Sequence, residues 1–393
     1  MNLRTCKTVR ERREMMEKEK NISFSNTGHF SLDEDIASTR NCENMIGVTQ
    51  IPLGIAGPLA ISSFSSTNQE LRTKNYFIPL ATTEGALVAS VSRGCKAIGE
   101  SGGADVEVED VGATRGPVFR VGNMKEGRKL EDFLKNNFSQ LQEVAAKTSR
   151  HIMLKTYAVS GAGTYRFVRF SFDTKDAMGL NMVTIATTAL ASYIYEAIHI
   201  PCVDISGNFC VDKKPSWLNF IQKRGKAVRA EVIMPASVVG DVLKTTPQKF
   251  YDAWLAKCMM GSAMSGSMGF NAQFANILAA LFIATGQDPA HVAECSIGMT
   301  TTEITSNGDL YVSVHLPDLM VGTVGGGTGL ATQKEALELL GVSGGNDGKN
   351  AVVLAGIIGA VILAGELSLL ASLSQGSLAC AHESLARGKV QKL

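Results

Sequence analysis

The sequence predicts an α+β protein in which a small domain interrupts a larger, helix-rich one, and three observations carry that prediction. The segment TYRFVRFSF alternates strictly, Tyr165, Phe167, Arg169 and Ser171 against Arg166, Val168, Phe170 and Phe172, which is the period of a β-strand. Leu87, Val91, Cys95 and Ile98 recur at helical spacing. The run from Ala351 to Gly365 is apolar until Glu366; at about fifteen residues it falls short of the roughly 20 that a membrane span requires, and it reads as a buried core helix.

In chain order, residues 1–50 are polar and charged, turn loop-like at NTGHFSLDED, and read as an N-terminal helical region. PLGIAGPL then punctuates apolar residues with Pro and Gly and opens a new core. The larger domain takes residues 51–116 and 205–393, and the inserted one 117–204. Within the insertion a long apolar helix runs from about Gly179 to Ala197. Beyond Pro201 the chain becomes rich in Gly and Lys, and AVRAEVIMP reads as a strand. A helix follows from near Phe270 through Phe274, Ile277, Leu278, Leu281 and Phe282, with Gly286 as its stop. No repeat of solenoid period occurs.

Composition excludes several classes. Lys and Arg total 38 against 37 Asp and Glu, so no overall field draws the chain to nucleic acid or an anionic membrane, and a polyanionic ligand needs local basic residues. The eight cysteines are scattered without a CxxC pair, which argues against a zinc site or a disulfide framework and suits a reducing cytoplasm. Residues 1–20 are charged and lack the apolar core of a secretory signal.

Five segments carry candidate chemistry, each with a plain reading beside the functional one. DKKP at 212–215 is either a solvated turn or a way to present Lys213 to an oxygen that gains negative charge. In TTEG, Glu84 is placed at a helix start with Thr83 as N-cap, a dipole-stabilised carboxylate or, if buried, a proton donor. Asp288 in GQD falls beyond the negative end of a helix, an unfavourable place unless a cation such as Lys213 compensates. VGTVGGGTG at 321–329, with Gly325 and Gly326, is a tight turn or an anion-binding loop. It fits neither GxxxxGK[ST] nor GxGxxG, so a Rossmann unit is unsupported. His382 is either an inert tail residue or one that closes over a site to protonate a leaving thiolate.

Taken together, ENMIG and PLGIAGPL, TTEGALVASVSRG, DAMGLNM, SGNFCVDKKP, GSMGFNAQFANI, GQD, VGTVGGGT and AGELSL closely resemble the hydroxymethylglutaryl-coenzyme A (HMG-CoA) reductase family across about residues 40–390, in its class I form. The resemblance implies a ferredoxin-like small domain that binds NADPH, and reduction of (S)-HMG-CoA to (R)-mevalonate and CoA with two NADPH. It implies a catalytic set of Glu84, Lys213, Asp288 and His382. Arg115, Ser206, Lys214 and Asn276 fall at positions that hold the hydroxymethylglutaryl group, and Ser90, Ser92 and Arg93 at positions that contact CoA. Asp176, Met178, Gly179 and Asn181 fall in the cofactor segment. Ser149 and Arg150 lie 26 residues before Asp176, where the class I branch holds the ribose 2′-phosphate that distinguishes NADPH from NADH. Active sites between subunits, hence a homodimer or larger homo-oligomer, follow from the same resemblance, as does a soluble form without a membrane domain. Gly388 stands where animal members carry a phosphorylatable Ser. Two other readings remain open here: the same scaffold degrading mevalonate with NAD, and a non-redox protein that binds or transfers CoA esters.

Overall fold

The computed structural model describes residues 3–66, 69–71 and 74–376; His382, its neighbour Cys380 and Gly388 lie outside the described residues. Eleven strands form one hydrogen-bonded set: β1 (Leu53–Ser66), β2 (Gln69–Leu71), β3 (Lys74–Ala81), β4 (Ala104–Arg115), β5 (Val118–Arg120), β6 (Met153–Ala162), β7 (Tyr165–Asp173), β8 (Cys202–Asp204), β9 (Arg224–Met234), β10 (Met299–Ile304) and β11 (Leu310–Leu319). The order β3–β1–β4–β9–β11–β10 is antiparallel except at the β1–β4 pair. The far end of β4, Ala113–Arg115, pairs instead with β7, whose other neighbours are β5 and β6, while β5 carries β8. The strand changes partners at Gly112, whose φ of 103° and close approach to the Phe172 carbonyl (2.6 Å from a Cβ placed there) leave no room for a side chain.

Alternation of the kind seen in β7 ordinarily marks one wetted face. Here both faces are covered: Val168, Phe170 and Phe172 are buried, and so are Arg169 and Ser171. The polar set finds internal partners, Ser171 Oγ donating to the Val111 carbonyl at 2.8 Å and Arg169 Nη2 to Asn219 Oδ1 at 2.9 Å, although Arg169 Nε has none. Burial, with Arg224 nearby, lowers the Arg169 pKa to about 10.

The apolar run at 351–365 is the middle of a 26-residue helix, Lys349–Ser374, packed against β4, β9 and β11 and against helices Leu87–Glu100, Pro247–Trp254 and Phe274–Thr285. By length and composition it could cross a membrane, but 83% of its most apolar window is enclosed by the rest of the chain. Glu366, read from sequence as the end of the run, lies inside the helix and is fully buried. It is kept there by two backbone amides, Ala272 at 2.8 Å and Gln273 at 2.7 Å, and by the Thr300 hydroxyl at 2.7 Å. Burial raises its pKa even so.

Small residues let this central helix approach its neighbours. A Cβ on Gly94, in the helix Leu87–Glu100, would lie 1.8 Å from the Ala364 carbonyl oxygen. Because that obstacle is backbone, Gly94→Ala should destabilise the fold by about 1–3 kcal/mol or more through overpacking. Thermal unfolding of the variant checks this as a lowered Tm.

At the N-terminus, helices Val9–Lys20 and Glu34–Arg40 pack through Val9, Ala37 and Met45. The first starts in a capping box formed by Thr8 and Glu11. Asn41 Nδ2 donates to the Gly326 carbonyl at 3.1 Å, tying this region to the glycine-rich loop.

Candidate active site

Lys213 sits in the turn between β8 and helix Trp217–Gln222, where Asn208, Val211 and Lys213 all adopt left-handed backbone (φ 61°, 49° and 57°). Each such non-glycine residue costs roughly 1–3 kcal/mol, and the surrounding structure must impose it. It does so at three consecutive residues before Lys213. The Cys210 carbonyl accepts from Thr114 Oγ1 at 3.1 Å, the Val211 carbonyl from Asn219 Nδ2 at 3.1 Å, and Asp212 Oδ1 from Arg224 Nη2 at 3.1 Å.

The turn delivers Lys213 Nζ to Asp288 Oδ2 at 2.6 Å, the compensation that the position of Asp288 beyond a helix end called for. Asp288 also caps the short turn Pro289–His291 by accepting from the Ala290 amide at 3.0 Å. Partial burial opposes its ionisation, but the bonds from Lys213 and Ala290 outweigh that and hold the carboxyl below the usual aspartate range. The pair is therefore intact at neutral pH and is lost only as the pH falls through that lowered value.

Lys213 and Asp288 line an open cleft of about 760 Å³, shared with Met178, Gly179, Asn181, Gly325 and Gly326. Gly179, at φ 85°, caps the 19-residue helix Leu180–Ile198, so the unpaired amides and positive end of that helix open on the cleft. The glycine-rich loop lies beside it, joined by a backbone bridge between Ala177 and Val324. A helix N-terminus, a flexible-backbone glycine loop and an ammonium together suit an anionic ligand. Ser149 is adjacent, its Oγ 3.8 Å from the sulfur of Met182, another cleft residue, and Arg150 follows it on the surface.

Arg115 and Ser206 also meet, Nη1 donating to Oγ at 3.0 Å. Nη2 of Arg115 donates to Thr184 Oγ1 at 2.7 Å on the first turns of helix Leu180–Ile198, next to the cleft. Asp176 is engaged by backbone amides. Its carboxylate accepts from the amides of Asn346 (2.5 Å), Gly348 (2.8 Å) and Ala351 (3.0 Å), and so anchors the start of the central helix.

Other expected residues are placed elsewhere. Glu84 is exposed in a loop three residues before its helix begins, and its amide donates to Thr82 Oγ1 at 2.9 Å, so Thr83 is not the N-cap. Asn276 is exposed on helix Phe274–Thr285, and Lys214 donates to the Asp212 carbonyl at 3.0 Å. Glu84, Asn276 and Lys214 are not among the residues lining the Lys213 cleft. Ser90 donates to Ser368 Oγ at 2.9 Å, and Arg93 grips the Ser368 carbonyl and Ser372 Oγ, both at 2.5 Å; Ser92 is half-buried on the same helix. Ser90 and Arg93 are thus engaged with the central helix.

Beneath the Lys213 turn lies a charge cluster that the sequence does not announce. Arg224 is fully buried and donates to both Glu294 oxygens at 2.6 Å, to Asp212, and to Thr114 Oγ1 at 2.9 Å. Burial works against its charge, but Glu294, Asp318 and Asp212 more than restore it. Glu294 is held below the usual range by His291 and Arg224 despite burial, whereas burial and the Glu294 charge push Asp318 well up. Gln287, missed for the same reason, is buried beside Asp288 and pairs twice with Gly322, through its carbonyl and its amide, both at 2.9 Å.

Fold and site define a mixed α+β protein, without a Rossmann motif in its sequence, whose lysine–aspartate pair faces a glycine-lined cleft. A sequence profile described as hydroxymethylglutaryl-coenzyme A reductase matches residues 8–387. The 3-hydroxy-3-methylglutaryl-coenzyme A reductase of Pyrococcus abyssi is 48% identical over 96% of this chain and 92% of its own length. The enzyme of that name from Methanothermobacter thermautotrophicus is 46% identical over 97% and 94%. The chain belongs to the HMG-CoA reductase family. Its fold is also similar to that of the class II reductase of Streptococcus pneumoniae solved with NADPH, with a TM-score of 0.67 over 93% of this chain and 97% of the other, at 20% identity.

Proposed function

We propose that the chain reduces (S)-HMG-CoA to (R)-mevalonate and free CoA in two NADPH-dependent steps through mevaldehyde, as a class I-like member of the family acting in the cytoplasm. The observation that carries this reading is the Lys213–Asp288 pair at 2.6 Å on the wall of a cleft formed by the DAMGLNM segment and the glycine-rich loop. NADPH, when bound, supplies hydride to the carbonyl carbon. Lys213 faces the carbonyl oxygen and stabilises the negative charge that gathers there, and Asp288 keeps the ammonium aimed. Arg115 and Ser206 offer a planar fork and a hydroxyl to the substrate carboxylate. The amides at Leu180 and Asn181, with Gly325 and Gly326, offer donors to the pyrophosphate. Residues 117–204 act as the inserted nicotinamide domain.

Glu84 and Asn276, exposed and outside the cleft of this chain, fit a site completed by a second subunit, so the working unit is a homodimer. Glu84 then protonates the aldehyde oxygen, and His382 the departing thiolate. Arg93 reaches CoA only after releasing Ser368 and Ser372.

Initial rates with HMG-CoA should be faster with NADPH than with NADH. Arg150→Ala should raise the KM for NADPH about tenfold, the loss of one charge-assisted contact to the 2′-phosphate, and leave the KM for NADH unchanged. Equal use of the two cofactors by the wild type would favour the oxidative, mevalonate-degrading reading.

A further inference from the structure

His291 is fully buried, one turn beyond Asp288, and faces carboxylates on both sides. Its Nδ1 bonds Glu294 Oε1. Its Nε2 has no hydrogen-bond partner and is shielded from solvent, 3.9 Å from Asp288 Oδ2 and 4.0 Å from Asp212 Oδ1. Asp288 Oδ2 is the oxygen that takes Lys213 Nζ. Aspartates on two segments therefore converge on one ring nitrogen directly behind the catalytic ion pair. The remaining charged groups around the ring are Lys213 on the same turn as Asp212, Arg224 from β9, and Asp318 from β11, behind Glu294. Arg224 already bridges Glu294 and Asp212, so the cation that this acid cluster requires is supplied by the chain itself.

We propose that His291 is a positioning residue for the reduction, acting through Asp288 as an imidazolium wedged between Glu294 and the Lys213–Asp288 pair. This rests on the reductase reading. With the proton on Nε2, the ring shares the negative charge of Asp288, and Lys213 keeps more of its field for the substrate oxyanion. When the ring is neutral, Asp288 is left to Lys213 alone, the ion pair tightens, and the ammonium is less available.

The test compares wild type with His291→Gln, which keeps an amide donor but cannot carry the charge. The variant should lose about ten- to a hundredfold in kcat, as for a displaced catalytic group. Its KM for HMG-CoA should stay within about twofold of wild type, and the pH profile of kcat should differ in shape from that of wild type. Unchanged kcat overturns the proposal, and so does a lower kcat with the wild-type pH profile, which marks a merely structural role. If His291→Gln does not fold, histidine-labelled wild type and Asp288→Asn are titrated by NMR. A buried imidazole that titrates lower in Asp288→Asn supports the coupling, and an identical titration overturns it. If wild type itself fails to oxidise NADPH with HMG-CoA, the reductase reading falls and this inference with it; the other failures leave that reading standing.

Discussion

Replacing Lys213 by alanine should lower kcat for HMG-CoA reduction by about 10²–10³-fold, the usual cost of removing a principal donor to a developing oxyanion. The KM for NADPH should change little, because the glycine-rich loop and the start of helix Leu180–Ile198 line the cleft independently of this side chain. The protein should also fold normally. Lys213 and Asp288 are each more than a third exposed, so their ion pair adds little to stability. Nor does the turn need the lysine itself, since Cys210, Val211 and Asp212 are fixed by Thr114, Asn219 and Arg224. Steady-state kinetics with a parallel melting curve check both halves. Wild-type kcat in the alanine variant would mean that the ammonium is not what stabilises the oxyanion.

Arg224→Met should have the opposite profile, a large loss of stability. The guanidinium is fully enclosed and is shared by Glu294, Asp212 and Thr114. A buried charge stripped of its partner typically costs about 3–5 kcal/mol. The protonated state favoured by Asp318 softens this, since only part of the cluster's negative charge is left exposed by the change. The sign with pH is also fixed. The Glu294 carboxyl is held below its ordinary value in the folded protein, so its contribution is present above the unfolded glutamate pKa and is lost as pH falls through the folded value. Without Arg224 that contribution shrinks, and denaturant unfolding should show the gap between variant and wild type narrowing in acid. Because Asp212 then loses its anchor, whatever Arg224→Met folds should also turn over slowly. Arg224→Lys, which keeps charge but not the fork, should fall between the two.

Much of this arrangement is legible in the residues alone. The helix Leu180–Ile198, the strand β9 and the buried helix at 351–365 follow from period and length, because a 3.6- or 2-residue repeat reports directly which face meets a core. The need of Asp288 for a cation, with Lys213 as the candidate, follows from an electrostatic misfit, a carboxylate beyond a helix C-terminus; that the two meet is seen only in the structure. Local rules fail where burial is decided by distant strands. Glu366 reads as a stop because a charge seldom enters a core, and only the amides of Ala272 and Gln273, nearly a hundred residues earlier, explain its place. Arg224, Glu294 and Asp318 look like surface charges on amphipathic elements until the β4–β9–β11 pairing brings them together. Asp176 sits in a segment whose wording points to the cofactor, yet its carboxylate secures the central helix.

The central claim is that the Lys213–Asp288 cleft carries a full thioester-to-alcohol reduction. The most direct measurement mixes enzyme, HMG-CoA and NADPH, and follows reduced-nicotinamide absorbance and free CoA thiol together to completion. The predicted result is two NADPH consumed for each CoA released, with mevalonate as the product. CoA-ester binding with no loss of nicotinamide absorbance would contradict it and leave a non-redox CoA-ester protein on the reductase scaffold.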